Sequence, residues 1–574
     1  MLICGLKLTH DGAVALLQDN RLLFSIEMEK IGNNDRYSAI EDIRDVEQLL
    51  AREGFTLSGI DEFVVDGWGG DDADALAVQP RLQITAENNF LSLLNFGREA
   101  ELPVARYQEK TLASDVLEEF RFNRLPYKGA QLPYSSFLHV TGHLMSAYAT
   151  SPFAAKKEPA FLLIWDGGMY PRLYHFDPAV NTMTNLGPLF LMIGNMYSIF
   201  AQHFGPFRVK GNFAKDSLSV AGKVMAYIAL GKVQPELFKK MDDVYYEHYE
   251  TPMGFANVFT NEFKKSIEGC DIPDENILAT FHDYLGSMLV EKLGQKLSRT
   301  PLKAGNLCLA GGCALNIKWN SQIRQSGLFR QVYVPPFPND SGSAIGMAAA
   351  LLYKRTGLTC LDWNVYGGPA LGRPSAPEGW QPRACSLKEL ASLLHHSGEP
   401  VVFLNGRAEL GPRALGNRSI LASPASPGMK DILNDIKQRE HYRPVSPICL
   451  EEYAADIFSP GHADPYMLFD HQVRRQWLHR IPAVTHLDGS ARLQTVNSSQ
   501  NPEIHELLMH FCAESGIPLL CNTSANFHGK GFFPDVTSAA AWAGTNYIWS
   551  DCTLFERTSR LLRQPTEQHA AQIA

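Results

Sequence analysis

Two histidines stand four residues apart in the run Phe137-Leu-His139-Val-Thr-Gly-His143-Leu-Met-Ser-Ala-Tyr148. On a helix that spacing puts both imidazoles on one face, where two neutral ring nitrogens can share a cation. Two ordinary buried or rim histidines would leave the same trace, so further ligands must decide the matter. Carboxylates from distant strands would complete such a centre, and the chain offers two. Asp166 ends the apolar run Ala160-Phe-Leu-Leu-Ile-Trp in an Asp-Gly-Gly turn. Asp340 follows Val332-Tyr-Val-Pro-Pro-Phe-Pro-Asn and opens a small-residue helix, either as its N-cap or as a metal ligand.

Other groups suit anions and proton transfer. His10-Asp11-Gly12 forms a turn between two strand-like runs, placing a group that titrates near neutrality in a tight loop. Gly311-Gly312 follows the buried-type strand Asn306-Leu-Cys-Leu-Ala at a helix start, where backbone N–H groups and the helix dipole favour an anion. Further on, Gly411-Pro-Arg413-Ala-Leu-Gly-Asn-Arg418-Ser, Lys437-Gln-Arg439-Glu-His-Tyr-Arg443, His486-Leu-Asp-Gly-Ser-Ala-Arg492 and Cys521-Asn-Thr-Ser524-Ala-Asn526-Phe-His528-Gly-Lys530 concentrate cations beside glycines and Asn/Ser turns. Guanidinium forks in that setting fit polyphosphates, against the plainer reading of arginines paired with surface carboxylates.

The elements that must hold these groups are legible in outline. Leu2–Leu8, Ala13–Leu17 and Leu22–Ile26 read as three short strands joined by tight turns. A strand ending in Asp-Gly, followed by a partner strand, recurs at Asp166-Gly167 and Arg172–Phe176, which predicts an internal duplication. Helices are expected over 39–52 and 216–232, the latter carrying Lys223, and residues 70–135 read as an insertion. A Pro- and Gly-rich stretch at 356–385 reads as a linker between a first domain, 1–355, and a second, 386–574, whose opening helix is capped by Ser386.

Composition bounds the function. With 574 residues, 45% hydrophobic and 20% charged, the chain can build two or more cores. A net charge of −9 builds in no global attraction to nucleic acid or to an acidic membrane. Ten scattered cysteines, with Cys4, Cys308, Cys313 and Cys521 in apolar runs, read as reduced core thiols. No run is long and apolar enough to span a bilayer, and the N-terminus enters a strand directly. A soluble cytoplasmic protein is expected.

Taken together and in order, the His-Asp-Gly opening, the His-x-x-x-His helix, Asp-Gly-Gly, Leu-Ala-Gly-Gly-x-Ala-Leu-Asn, Asp-x-Gly-x-Ala-x-Gly, Gly-Pro-Arg-Ala-Leu-Gly-Asn-Arg-Ser and Asn-Thr-Ser-x-Asn resemble the NodU/CmcH family of O-carbamoyltransferases. The resemblance implies an α/β and α+β architecture. Its first domain would be a duplicated actin-like fold similar to the tRNA threonylcarbamoyl-transfer protein, and its second a YrdC-like domain. It implies carbamoyl phosphate and ATP as co-substrates, with Mg²⁺, and Fe²⁺ or another divalent metal. A carbamoyl-adenylate made in the second domain would pass to a hydroxyl of a small-molecule natural product, an antibiotic or toxin, bound at the first.

Carried onto this chain, His139, His143, Asp166 and Asp340 would hold the metal, and His10 would polarise or deprotonate the acceptor hydroxyl. Gly311, Gly312 and Asn316 would lie along the adenylate. Arg413, Arg418, Lys437, Arg439, Arg443, Arg492, Ser524 and Asn526 would hold ATP and carbamoyl phosphate. The family's phosphate arginine is replaced by His528, so either Lys530 supplies that charge or phosphate binding is weaker. This variation and the N-terminal spacing place the chain nearer the cephem and tobramycin-type branch than the nodulation-factor branch. Because carbamate and its adenylate hydrolyse readily, a closed passage between the two sites is expected. No nucleic-acid or membrane partner is expected, and a homodimer is left open. Two rivals are a tRNA threonylcarbamoyl-type modifier and a non-catalytic actin-like nucleotide switch; the acidic balance disfavours the first.

Overall fold

The computed structural model describes residues 1–69, 79–83, 99–128, 130–209, 217–249, 255–373 and 375–559. Residues 70–78, 84–98 and 129 of the expected insertion, and Asp216 of the expected 216–232 helix, lie outside the described residues.

The strand-like opening folds as read. Leu2–Lys7, Ala13–Gln18 and Arg21–Glu27 pair antiparallel, and Glu62–Asp66 and then Ala130–Phe137 extend the sheet in parallel from Leu2–Lys7. Phe120–Tyr127 closes its far edge. A second sheet repeats the order: Thr182–Pro188, Arg172–Asp177 and Ala160–Ile164 are antiparallel, and Asn306–Ala310 and Gln331–Tyr333 continue in parallel. The same 3-2-1-4-5 arrangement twice, with an Asp-Gly turn after each first strand, is the internal duplication that the recurrence predicts, in the form of the actin-like fold that the resemblance implies.

Two helices meet between these sheets. His139–Ala149 leaves the first sheet and packs on the second, whereas Ser343–Thr356 packs on the first. Every residue of His139–Ala149 is buried, so it is a core helix rather than an amphipathic one. The helices cross at glycines: a Cβ on Gly346 would lie 1.9 Å from the Gly142 carbonyl oxygen. That contact brings Asp340, at the head of one helix, to the histidine face of the other.

The third sheet has eight strands, in the order Trp380–Ala384, Thr553–Arg557, Tyr547–Ser550, Val401–Leu404, Arg418–Ala422, Leu519–Ser524, Ser446–Leu450 and Gln494–Val496. Its core is built on Val401–Leu404, Ile448–Leu450 and Leu519–Cys521. Ser386 caps its first helix in a full capping box with Glu389. Within the stretch read as linker, Trp380–Ala384 forms an edge strand against Thr553–Arg557.

Residues 28–38 form a strap between the first and third sheets. Lys30, buried at 1% exposure, donates to Glu27 Oε1 at 2.6 Å and to the backbone oxygens of Glu409 and Gly411 at 2.5 and 2.8 Å. All ten cysteines are free, as their scatter predicts. Among the described residues no helix is long and apolar enough to cross a membrane.

Candidate functional site

The helix Cβ direction and the Gly142–Gly346 crossing converge the four expected ligands. His139 and His143 are fully buried, with their Nε2 atoms 3.1 Å apart. Asp340 Oδ1 lies 3.5 Å from both, and the Asp166 oxygens lie 4.0 Å from each. One ligand atom from each of the four falls within 4.8 Å of every other. Tetrahedral ligands on bonds of about 2.1 Å are about 3.4 Å apart, so these separations bracket what a divalent cation needs. Two imidazole nitrogens aimed at each other also require a proton or a cation between them.

Charge supports this fit. Burial works against a cation on His139, but Asp66 and Asp340 outweigh it and raise the ring to about 9. His143 is lowered by burial and by the His139 charge beside it. A proton on His139 therefore stands where a metal would. His139 Nδ1 lies 2.8 Å from Asp66 Oδ2, which fixes the tautomer that leaves Nε2 free for a cation. Asp340 is an anion well below the usual carboxylate range: burial opposes this, and Lys7, His139 and His10 outweigh it. It is thus a member of the centre, since its oxygens face Lys7 and the histidines rather than capping the helix.

Three residues that sequence reasoning missed frame the four. Lys7, at 0% exposure, has its Nζ 3.0 Å from both Asp66 Oδ2 and Asp340 Oδ2 and 3.6 Å over the Trp68 ring. Asp66 ends the strand Glu62–Asp66. Tyr107 stacks on His139 with ring centroids 4.7 Å apart and donates its hydroxyl to Asp166 Oδ2 at 2.7 Å. Burial and the Asp166 charge push that phenol well above its ordinary value, so it stays a donor. A lysine at the end of a strand buried on both faces was the available signal for Lys7.

His10 stands at the rim. Its Nδ1 lies 2.8 Å from Asp11 Oδ2 and its Nε2 3.7 Å from Asp340 Oδ2. Asp11 holds the turn with a φ of +56°, and Asn339 donates to its Oδ1 at 3.3 Å.

The glycine pair behaves otherwise than expected. Gly312 N–H donates to Asp166 Oδ1 at 2.7 Å, so the anion at this helix start is the protein's own carboxylate. Gly311, at φ +87°, allows a crossing in which a Cβ would lie 2.4 Å from the Trp165 oxygen. The Asn316 side chain caps the helix Ile317–Gln325 and touches His282, while still lining the cavity beside the centre.

That cavity, of about 490 Å³, runs from His10, Asp166 and Asp340 to Arg413, Arg439, Arg443, Arg492 and Ser524. Burial and mutual repulsion lower Arg413 and Arg492. Among the described residues, the ion pair of Arg443 with Glu440 spans 3.8 Å, and Arg413 Nε is buried without a hydrogen-bond partner. Guanidinium groups held together in this way call for a shared polyanion.

The other expected phosphate residues are placed elsewhere. Arg418 is 1% exposed and donates to the carbonyls of Asn405, Gly406 and Asn417 at 2.7 to 3.0 Å; it clamps a turn and does not line the cavity. Lys437 donates to the Ser524 and Asn526 carbonyls at 2.9 and 2.7 Å and to the Asn526 side chain, which occupies both residues. Lys530 pairs with Asp35 at 2.6 Å. Lys437, His528 and Lys530 line a second cavity with Asn33, Phe527 and Trp542.

Comparison with known proteins matches this arrangement to a family. A carbamoyltransferase N-terminus model matches residues 2–350, and a carbamoyltransferase C-terminus model matches 391–550. Nodulation protein U of Rhizobium tropici is 46% identical over 98% of this chain and 97% of its own length. The 3'-hydroxymethylcephem-O-carbamoyltransferase of Amycolatopsis lactamdurans is 33% identical over 93% of this chain and 94% of its own. These identities overturn the expectation of a place nearer the cephem branch, because a few residues around His528 weigh little against the full length. Matched by both models and by relatives along nearly its whole length, the chain belongs to the carbamoyltransferase family and is a transferase.

Proposed function

We propose that the protein is an ATP-dependent O-carbamoyltransferase acting on a hydroxyl of a small-molecule natural product. The single observation that carries this reading is one cavity with a metal-type tetrad at one end and an arginine cluster at the other. In the third-sheet part of the chain, here read as YrdC-like, carbamoyl phosphate is hydrolysed to carbamate and phosphate. The carbamate oxygen then attacks the α-phosphorus of ATP, forming carbamoyl-adenylate and releasing pyrophosphate. Arg413, Arg439, Arg443 and Arg492 bind the phosphates through charge-assisted hydrogen bonds and neutralise the charge that builds on the leaving pyrophosphate.

At the other end, His139, His143, Asp166 and Asp340 would hold a divalent cation such as Fe²⁺, which supplies Lewis-acid polarisation when bound. His10 takes the proton from the acceptor hydroxyl, oriented by Asp11 at its Nδ1. The alkoxide oxygen attacks the carbamoyl carbon, the bond to the adenylate oxygen breaks, and AMP leaves. Tyr107 and the Gly312 N–H hold the Asp166 oxygens in place during this step. One cavity shared by the two ends gives carbamate and adenylate a route between them that need not cross bulk water.

The test is pyrophosphate release by the purified protein with ATP and Mg²⁺. Release that requires carbamoyl phosphate and falls by about a hundredfold or more in Arg439→Ala supports the reading. Release without carbamoyl phosphate, or an Arg439→Ala protein as fast as the parent, sinks it.

A further inference from the structure

The arginines singled out above for phosphate all come from the C-terminal part of the chain, but the cavity holds one more, from the strap near the N-terminus. Arg36 lines the same cavity as Arg413 and Arg443. We propose that Arg36 is a polyphosphate-binding residue, so that the anion site is completed by the half of the molecule that carries the metal-type tetrad. This rests on reading the cavity as a polyphosphate site.

The plainer role would be a structural ion pair with Glu29. The distances argue against it. Arg36 Nε is 3.8 Å from Glu29 Oε2, whereas Arg355, a structural arginine, sits 2.7 and 2.6 Å from Glu62 and Glu119. Arg36 is thus near a carboxylate without being hydrogen-bonded by it, and it lines the cavity with its guanidinium 5.5 Å from the Tyr37 ring centroid. Arg36 is among the groups that, after burial, push the Arg413 guanidinium down, while its own charge is opposed by burial and held by Glu29, Tyr37 and Asp11, which outweigh it. A bridging polyanion relieves that repulsion.

The backbone around Arg36 is fixed at both ends, as a binding residue requires. Its N–H donates to the Gly529 oxygen at 3.0 Å, and Gly531 N–H donates to the Asn34 oxygen at 3.1 Å. Asn33 Nδ2 donates to Ser538 Oγ at 2.9 Å. On the other side, Asp11 N–H donates to the Tyr37 oxygen at 3.2 Å and Gly12 N–H to the Ser38 oxygen at 2.8 Å. The residue that reaches the phosphates is therefore one step along the chain from the support of the His10 turn. A bound polyphosphate would stiffen both.

The experiment is ATP binding to the full-length protein by calorimetry at a series of salt concentrations, for the parent, Arg36→Met and Arg36→Lys, with thermal midpoints recorded for each. Arg36→Met is expected to bind about tenfold more weakly, with a shallower salt dependence, and Arg36→Lys to recover part of the loss. If Arg36→Met fails to fold, Arg36→Gln carries the same comparison. Parent-like affinity and salt dependence in the neutral variant overturn the inference while leaving the cavity reading intact. A parent protein that binds no ATP overturns both.

Discussion

At the scale of single residues, the charge of the tetrad is balanced by Lys7, which is not itself a ligand. Burial works against its ammonium, and the Asp340 and Asp66 carboxylates outweigh that and hold it charged. In Lys7→Met the metal-free protein keeps both carboxylates buried without this counter-charge, a loss on the order of 3–5 kcal/mol. A bound divalent cation restores the balance. The rise in thermal midpoint on adding Fe²⁺ or Mn²⁺ is therefore expected to be larger in Lys7→Met than in the parent, and equal rises would show that Lys7 does not serve this purpose. Asp166 was legible because a carboxylate that ends a wholly apolar strand has few structural reasons to be there, whereas His139, His143 and Asp340 each had an ordinary reading and were joined to it only by the order of motifs along the chain. Lys7 was not, because a strand-end lysine usually faces water. Arg418 misled for a related reason: a sequence names a guanidinium but not the oxygens it meets, and here those are backbone carbonyls.

At the scale of elements, the site depends on how closely two core helices approach. A Cβ at Gly346 would overlap the Gly142 carbonyl, so Gly346→Ala must part the helices and move Asp340 from the histidines. The expected result is a loss of about 1–3 kcal/mol with reduced metal content per chain. Gly294, in the helix Asp274–Arg299, has its nearest neighbour 3.7 Å from the added Cβ, so Gly294→Ala should gain about 0.5–1 kcal/mol and keep its metal. Calorimetry and elemental analysis of the two variants check this contrast, and equal effects would contradict it. Strands such as Leu2–Lys7 and Ala160–Ile164 could be read because both faces are buried and the runs are apolar. The order of the third sheet could not, because Val401–Leu404 pairs in parallel with Tyr547–Ser550, far along the chain. Nothing local encodes that partnership. The edge strand Trp380–Ala384, with most of its residues exposed, likewise carried no apolar signal and read as linker.

At the scale of the whole molecule, the proposed function assigns separable chemistry to the two ends of one cavity. The strap at 28–38, with Lys30 buried against Glu27 and the Glu409 and Gly411 oxygens, fixes the two ends relative to each other. Under the proposed function, adenylate formation would need the arginine end, and the tetrad would serve only the later transfer. The most direct measurement is carbamoyl-phosphate-dependent pyrophosphate release in three proteins: the parent, Arg439→Ala and His139→Ala. Release is expected in the parent, its loss in Arg439→Ala, and release within about threefold of the parent in His139→Ala, although that variant is expected to retain little metal. Loss of release in His139→Ala together with parent-like release in Arg439→Ala would contradict the proposed function, because the adenylate would then be made at the tetrad.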